Sequence, residues 1–268
     1  MKVAFFGTPQ FAVICLEELL KSKNEVVCVV TQPDRPSGRN KKVEYSAVKE
    51  FALKNNVPVL QPERISRELE LLEPYKPDII VTVAFGQMLK QNLLDKYRVI
   101  NVHPSMLPKY RGSSPIQWAL INGEVKTGVT IMQTDIGMDT GDILLQESTN
   151  IEPNETAGEL GIRLASVGSR LLVKVLDGDE KRVPQNHAEA TEFPMLSKEM
   201  AQIDWNWSPQ KIHNFVRGLN PWPIAWYEDG IRVHRTEIVN GELRILQIQP
   251  PGKRVMSYKE FINGNRGV

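Results

Sequence analysis

Asn101 and His103 place an amide and an imidazole two residues apart, directly after the apolar pair Val99-Ile100, which reads as a strand end. On an extended backbone residues i and i+2 point to the same face, so the two side chains project together. Pro104 and Pro108 then stop helix or sheet from continuing and are expected to hold the following loop open. An amide donor and an imidazole on one face suit stabilisation of an oxyanion. Asp139 lies in a separate acidic, Gly-rich segment, Asp135-Ile-Gly-Met-Asp-Thr-Gly-Asp142, and is suited to orienting the imidazole and keeping it charged. A strand-end His is more often a structural hydrogen-bonding group, so residue type alone leaves catalysis open. Ser105 is near His103 but lacks the Gly-x-Ser-x-Gly turn that exposes a nucleophile, and a Ser-His-Asp hydrolase is set aside.

The elements that must carry these groups read as an alternation. Residues 3–6, 26–30, 57–60, 79–83 and 99–102 are short apolar runs, as expected of buried parallel strands. Residues 11–21 and 45–55 repeat apolar positions at three and four, as amphipathic helices do. This predicts an α/β fold, a doubly wound and mostly parallel sheet, with ligands at the carboxyl ends of the strands. Residues 127–133 and 142–151 read as two further strands around the Asp139 loop. Residues 155–177 read as a helix, with Asn154 as N-cap and Gly178 just past its end. The polar stretch 181–204, with Pro184 and Pro194, reads as a linker after a catalytic domain at 1–180. Ser208-Pro209 opens a short helix to Arg217, and strand-like runs follow to Phe261, so 205–268 is expected to be a small β-rich domain. Gly7-Thr-Pro after the first strand lacks a Gly-x-Gly-x-x-Gly fingerprint, and Thr31-Gln32 stand where an acid should close the second strand. That pattern argues against a nicotinamide enzyme.

The chain has 268 residues, 41% hydrophobic and 24% charged, with a net charge of +1, a globular composition that does not advertise nucleic-acid binding. Charge is uneven, however. Arg35, Arg39, Lys41 and Lys42 face only Asp34 between residues 32 and 42, and a 14-residue connection of this kind is too polar for packing. From Trp205 onward nine Lys or Arg stand against five acids. A basic loop and a basic tail domain suit the flanks of a polyanion. No apolar run approaches the roughly 18 residues that span a bilayer. The start imitates a signal peptide, but Gly7-Thr-Pro-Gln10 interrupts it and Glu17-Glu18 occupy the cleavage region. Cys15 and Cys28 sit in apolar surroundings, as in a reduced cytoplasmic protein, and no Cys/His spacing suits a metal.

The run from Asn101 to Gly112, the following Ser113-Ser-Pro-Ile-Gln-Trp118, and Met138-Asp-Thr-Gly-Asp142 together resemble the folate-dependent formyltransferases. Gly7-Thr-Pro-Gln-Phe-Ala12, the basic 33–42 loop and Gly218-Leu-Asn-Pro-Trp-Pro223 match the members that act on methionyl-tRNA. The likeness is dense to about residue 225. It implies a formyltransferase-like Rossmann variant, N10-formyltetrahydrofolate as donor, initiator methionyl-tRNA as acceptor, and no metal. It implies catalytic roles for Asn101, His103 and Asp139, and a reduced-folate pocket bordered by Phe85, Gly86, Gln87, Met88, Ser105, Leu107, Pro108 and Asp135. It assigns tRNA contacts to Arg35, Arg39, Lys41, Lys42 and Arg111, in a monomeric, cytoplasmic enzyme without a membrane partner. The segment from Ile231 is shorter than the family's C-terminal region, with the gap near Val239–Gly241. Asn240-Gly241 reads locally as a tight hairpin turn. Two alternatives remain beside this reading: a formyltransferase for a small amine such as an amino sugar or glycinamide ribotide, and a non-catalytic folate- or tRNA-binding protein. The basic loop argues against the first and the intact Asn-His-Asp set against the second.

Overall fold

Apolar runs bounded by turns become strands, and a computed structural model describes residues 1–37 and 42–265 of the chain. In chain order the elements begin with β1 (Lys2–Gly7), α1 (Gln10–Lys21), β2 (Glu25–Val30), β3 (Arg35–Ser37), β4 (Lys42–Glu44), α2 (Ala47–Lys54) and β5 (Val59–Leu60). They continue with β6 (Ile79–Val83), α3 (Gln91–Leu94), β7 (Arg98–His103), β8 (Arg111–Gly112), α4 (Pro115–Ile121), β9 (Lys126–Gln133), β10 (Ile143–Asn150) and α5 (Ala157–Leu176). The last are β11 (Glu192–Phe193), α6 (Pro209–Gly218), β12 (Ala225–Tyr227), β13 (Ile231–Val239), β14 (Glu242–Gln249), β15 (Met256–Ser257) and α7 (Tyr258–Asn265). By contact density the chain forms two compact units. The first is Met1–Arg111, Gly128–Ser148 and Ile162–Ala190; the second is Gly112–Thr127, Thr149–Gly161 and Thr191–Val268.

The first unit is built on a seven-stranded sheet of order β10-β9-β7-β6-β1-β2-β5. β1 pairs in parallel with β2 and β6, β2 with β5 and β6 with β7, while β9 runs antiparallel to β7. All five residues of β6 are buried, which is why the strand is uniformly apolar apart from Thr82. Strand order reverses at β1 and β6, and there the carboxyl ends of β1, β6 and β7 lie side by side, Gly7 opposite Val83 and Thr82 opposite Asn101. A crevice at such a switch point is where open α/β sheets bind ligands. Helix α1 buries Ala12, Val13, Cys15, Leu16 and Leu19, and a Cβ on Gly7 would stand 2.7 Å from that of Ala12, so the β1–α1 turn requires glycine. Helix α5 packs behind β7: a Cβ on Gly168 would come within 2.8 Å of Val102 Cγ1. Val102 points away from the face that carries Asn101 and His103. Burial pushes both the Cys15 and Cys28 thiols up to about 12, so neither is a nucleophile near neutrality.

The capping chemistry of α5 differs from expectation. Asn154 is not its cap. Thr156 Oγ1 accepts from Glu159 N at 3.3 Å while Glu159 Oε2 accepts from Thr156 N at 2.9 Å, a reciprocal box that satisfies two donors. Gly178, at φ +101°, ends the helix as its spacing predicts, with Asp179 N donating to Lys174 O at 3.0 Å.

The second unit packs Leu196, Ala201, Ile203, Ile212, Phe215, Val216 and Val233 into one apolar cluster. Its sheet has the order β12-β13-β14-β15, and the β13–β14 hairpin turns at Asn240 and Gly241 with φ of 52° and 83°. Both central residues are therefore left-handed, as a two-residue hairpin with right-handed twist requires. Strands end at Ser257, and the segment to Phe261 is helical. Ser257 and Glu260 form a second capping box there, with bonds of 2.8 and 3.2 Å. The stretch 181–204 is split between the units at Ala190, with Gln185 buried in the first and Leu196 to Ile203 contributing to the second core. Among the described residues no helix is long and apolar enough to cross a membrane.

Thr156→Ala removes the side chain that caps α5 and should cost about 1 kcal/mol. Urea denaturation should show a lower midpoint with an unchanged slope. Asn154→Ala should leave the midpoint within error.

Candidate active site

His103 closes β7 with its ring buried and both nitrogens facing acceptors. Nε2 lies 2.8 Å from the carbonyl oxygen of Tyr110. A carbonyl only accepts, so Nε2 carries the hydrogen. Nδ1 lies 3.6 Å from Asp139 Oδ2. Two residues earlier, Asn101 shares the face. Its Oδ1 accepts from Thr82 Oγ1 at 2.9 Å across the β6–β7 register, which leaves the Nδ2 amide hydrogens directed away from the sheet as donors. The sequence pattern thus becomes one amide donor and one imidazole on a single strand end, each oriented by a neighbour.

Two loops complete the arrangement. The segment after His103 does not stay open: it returns so that Tyr110 O meets the ring, braced by Ser105 Oγ donating to Lys109 O at 2.7 Å. Thr130 on β9 ties the same loop down, donating to Ser105 O at 2.7 Å and accepting from Leu107 N at 3.2 Å. The Asp139 loop starts at the opposite end of β7, where Thr134 N donates to Val99 O at 2.9 Å. It must run back over four strand residues, roughly 13 Å at about 3.3 Å each, to bring Asp139 to His103. Asp135 Oδ1 holds its tip by accepting from Gly137 N and Thr140 Oγ1 at 3.1 and 2.6 Å. Asp139 takes φ +55°, a left-handed conformation that Asp tolerates better than most side chains. Gly141 admits no other residue, since a Cβ would sit 1.9 Å from Gln133 O.

The remaining expected residues divide. Phe85 is buried with its ring 5.0 Å from that of Phe6, and its carbonyl accepts from Thr8 Oγ1 and Gln32 Nε2 at 3.0 and 3.1 Å. Gln87 is a staple to the preceding loop, accepting from Ile65 N and donating to Pro62 O. Gly86, at φ +83°, lets the loop turn, and Met88 is 63% exposed. Ser105 and Leu107 are buried in the loop below His103, and Pro108 is half-buried. Arg39 and Lys41 lie outside the described residues; Arg35 is exposed and pairs with Glu44 in the β3–β4 hairpin, where Lys42 opposes Ser37. Arg111 is buried rather than solvent-facing. Its Nε and Nη2 donate to Gln185 Oε1 at 3.1 and 2.7 Å, and Nη2 also to His187 Nδ1 at 2.9 Å, so that edge of the guanidinium is engaged within the fold. Among the described residues no cluster of three His, Cys, Asp or Glu could hold a metal ion.

Sequence reasoning missed Thr82, Tyr110, Gln185 and the clamp at the root of the basic loop. In that clamp Lys49 Nζ contacts Asp34 Oδ2, donates to Gln61 Oε1 at 2.7 Å and sits 3.9 Å over the Tyr45 ring. Gln61 Nε2 in turn donates to Asp34 Oδ1 at 2.8 Å and Gln32 O at 2.9 Å. The hydrogen bonds from Lys49 first, and then from Gln61, hold the Asp34 carboxyl below its usual range.

Known proteins resemble this chain in sequence and in fold. The formyl transferase family model matches residues 1–176, and the model of the formyl transferase C-terminal domain matches residues 195–242. The methionyl-tRNA formyltransferase of Clostridium perfringens is 44% identical over 301 residues, covering 99% of this chain and 97% of its own length. That alignment exceeds the 268 residues of this chain, so the relative carries residues absent here. Among solved structures, a sugar 3N-formyl transferase, WlaRD, crystallised in the presence of dTDP and 5-N-formyl-THF, superposes with a TM-score of 0.71 at 22% identity. That match covers 96% of this chain and 97% of the other. Methionyl-tRNA formyltransferase from Clostridium thermocellum superposes with a TM-score of 0.64 at 16% identity, over 96% and 99% of the two chains.

Because its pKa is lowered in the fold, Asp34 stabilises the protein above the unfolded carboxylate value and loses that contribution as pH falls through the folded one. Lys49→Met should therefore be destabilised relative to the parent by a constant amount above about pH 5, and the difference should shrink in acid. Urea midpoints measured across pH check this; a difference unchanged into strong acid would mean that Lys49 acts through packing alone.

Proposed function

The chain belongs to the formyl transferase family, and on that premise we propose that it transfers the formyl group of N10-formyltetrahydrofolate to the α-amino group of initiator methionyl-tRNA. The observation that carries the reading is the trio Asn101, His103 and Asp139 at the switch-point edge, in a chain so similar over its length to methionyl-tRNA formyltransferases. The acceptor amine needs little activation, since an α-amino group has a pKa of about 7.8 and is partly neutral near pH 7.

The bound folate supplies the formyl carbon and the nitrogen that departs from it. Asn101 Nδ2 is a pre-aimed donor for the negative charge that grows on the transferred carbonyl oxygen. Nε2 of His103 is committed to Tyr110, so Nδ1 is the nitrogen that faces the reacting groups. At 3.6 Å Asp139 does not saturate it, and catalytic contacts of this kind tighten when ligands bind. Asp139 holds the ring's proton in place and passes the proton released by the amine, directly or through water, to the departing folate nitrogen. Neither a covalent enzyme intermediate nor a metal has a part in this scheme.

The donor set suits a flat heteroaromatic ring with a hydrogen-bonding edge. Met88, Ile136 and Met138 present exposed apolar side chains in the loops after β6 and β9, and Asp135 offers a carboxylate. We assign the ring's cradle to these groups and to the backbone of residues 85–88, with Pro108 at its margin. Phe85, Gln87, Ser105 and Leu107 shape it from below. Arg35, Arg39, Lys41 and Lys42 are assigned to tRNA phosphates, the Asp34–Lys49–Gln61 clamp fixing the root of their loop. Residues 1–180 serve catalysis and 205–268 the tRNA in this scheme, and the enzyme works as a cytoplasmic monomer.

Asn101→Ala and His103→Ala should each lower kcat by ~100–1,000-fold while changing KM for either substrate far less. Asp139→Asn should match them and shift the acidic limb of the pH–rate profile. Turnover at the parent rate by folded His103→Ala would remove the mechanism. A reduced folate should raise the melting temperature by mass action, and nicotinamide dinucleotides should not.

Arg39→Ala should raise KM for methionyl-tRNA and flatten its salt dependence without affecting folate binding. Full activity of that variant on charged tRNA at low substrate and physiological salt would favour a small-amine acceptor instead.

A further inference from the structure

Gln185 is 6% exposed, and its carboxamide has no spare capacity. Both Nε2 hydrogens are donated, to Asp139 O at 2.8 Å and Gly141 O at 2.7 Å. Oε1 accepts twice from the Arg111 guanidinium, at 3.1 and 2.7 Å. The amide orientation is therefore determined: a flipped amide would set its oxygen against two carbonyls and its NH2 against a guanidinium, losing all four bonds. Arg111 is itself anchored, because Nη2 also donates to His187 Nδ1 at 2.9 Å.

We propose that Gln185 is a positioning residue for catalysis, holding the backbone on either side of Thr140 so that the Asp139 carboxylate stands against His103. The inference rests on the formyl-transfer reading above. It also explains why Arg111, buried beside the site, is a fixed cation that orients Gln185. The loop needs such a hold. Asp135, Ile136, Gly137 and Met138 are exposed, and Asp139 sits at a positive φ, which costs a non-glycine residue energy and persists only where its surroundings enforce it. Asp135 secures the tip only from within the loop, to Gly137 and Thr140. Gln185 reaches it from a segment 46 residues away in the chain, so it ties the loop to the body of the unit. The 3.6 Å separation between Asp139 and His103 leaves little tolerance, since a misplacement of about 1 Å can lower a rate ~100-fold.

The test uses the intact chain and formyl transfer to methionyl-tRNA. Gln185→Ala removes the tie. Gln185→Glu keeps an acceptor for Arg111 but turns a carboxylate oxygen toward the two carbonyls, so it preserves the anchored side and breaks only the loop side. Each variant should lose about tenfold to 100-fold in kcat, with KM for both substrates changed less than about threefold. In the free protein, amide exchange should accelerate over residues 134–142 and not in β7. Combined with Asp139→Asn, Gln185→Glu should cost almost nothing further, because it acts through Asp139. A folded Gln185→Glu protein with the parent kcat and exchange pattern overturns the assignment, and so do fully additive losses in the double variant. Absence of formyl transfer by the wild-type chain would defeat the functional reading itself; wild-type activity beside unimpaired Gln185 variants defeats this assignment alone.

Discussion

The imidazole of His103, held between the Tyr110 carbonyl and the Asp139 carboxylate, is the contact on which the rest of the site depends. One ring nitrogen is spent on backbone, so only the other is left for chemistry, and its direction is set by where Tyr110 lies. That in turn requires the loop after β7 to close on itself. Ser105, Thr130 and Leu107 make that closure through three hydrogen bonds of 2.7 to 3.2 Å.

The sheet supplies the second constraint. β7 lies between a parallel neighbour, β6, and an antiparallel one, β9. From β6 comes Thr82, which turns the Asn101 amide so that its donor end faces outward. From β9 come Thr130, beneath the His103 loop, and the long excursion that carries Asp139 back along the sheet. Behind β7, α5 approaches as closely as Gly168 permits, so the strand has no room to retreat. A catalytic trio drawn from one strand end and one loop is thereby referred to a single rigid element, the arrangement that precise placement requires.

Buried polar groups finish the site rather than weaken it. Leaving a buried donor or acceptor without a partner costs roughly 1–3 kcal/mol, so Arg111, Gln185 and the carbonyls of Asp139 and Gly141 stabilise the fold only as a complete set. The second unit follows the same rule at His213. Its Nε2 donates to Pro153 O and its Nδ1 pairs with Thr236 Oγ1, while burial pushes its pKa below the ordinary imidazole value. That histidine is structural and neutral, whereas His103 faces a carboxylate. Two buried histidines in one chain thus have different roles because their outer nitrogens meet different groups.

Local chemistry alone made much of this legible. Uniformly apolar runs announced buried parallel strands, Gly178 and Asn240-Gly241 announced a helix end and a hairpin, and the two-residue spacing of Asn101 and His103 put them on one face. Each of these follows from backbone geometry over a few residues, which sequence specifies directly. The Thr156 and Ser257 capping boxes were equally local, written as Thr-x-x-Glu and Ser-x-x-Glu, and were readable though not read. Other features had no local signal. Arg111 has the composition of a phosphate ligand and became a buried anchor because Gln185, 74 residues on, and His187 engage its guanidinium. Gln185 itself sits in a polar stretch that reads as linker, and Asp139 meets His103 only because a loop folds back over the length of a strand. Which acceptor a donor finds across such distances is decided by packing, since only the assembled fold brings those groups together.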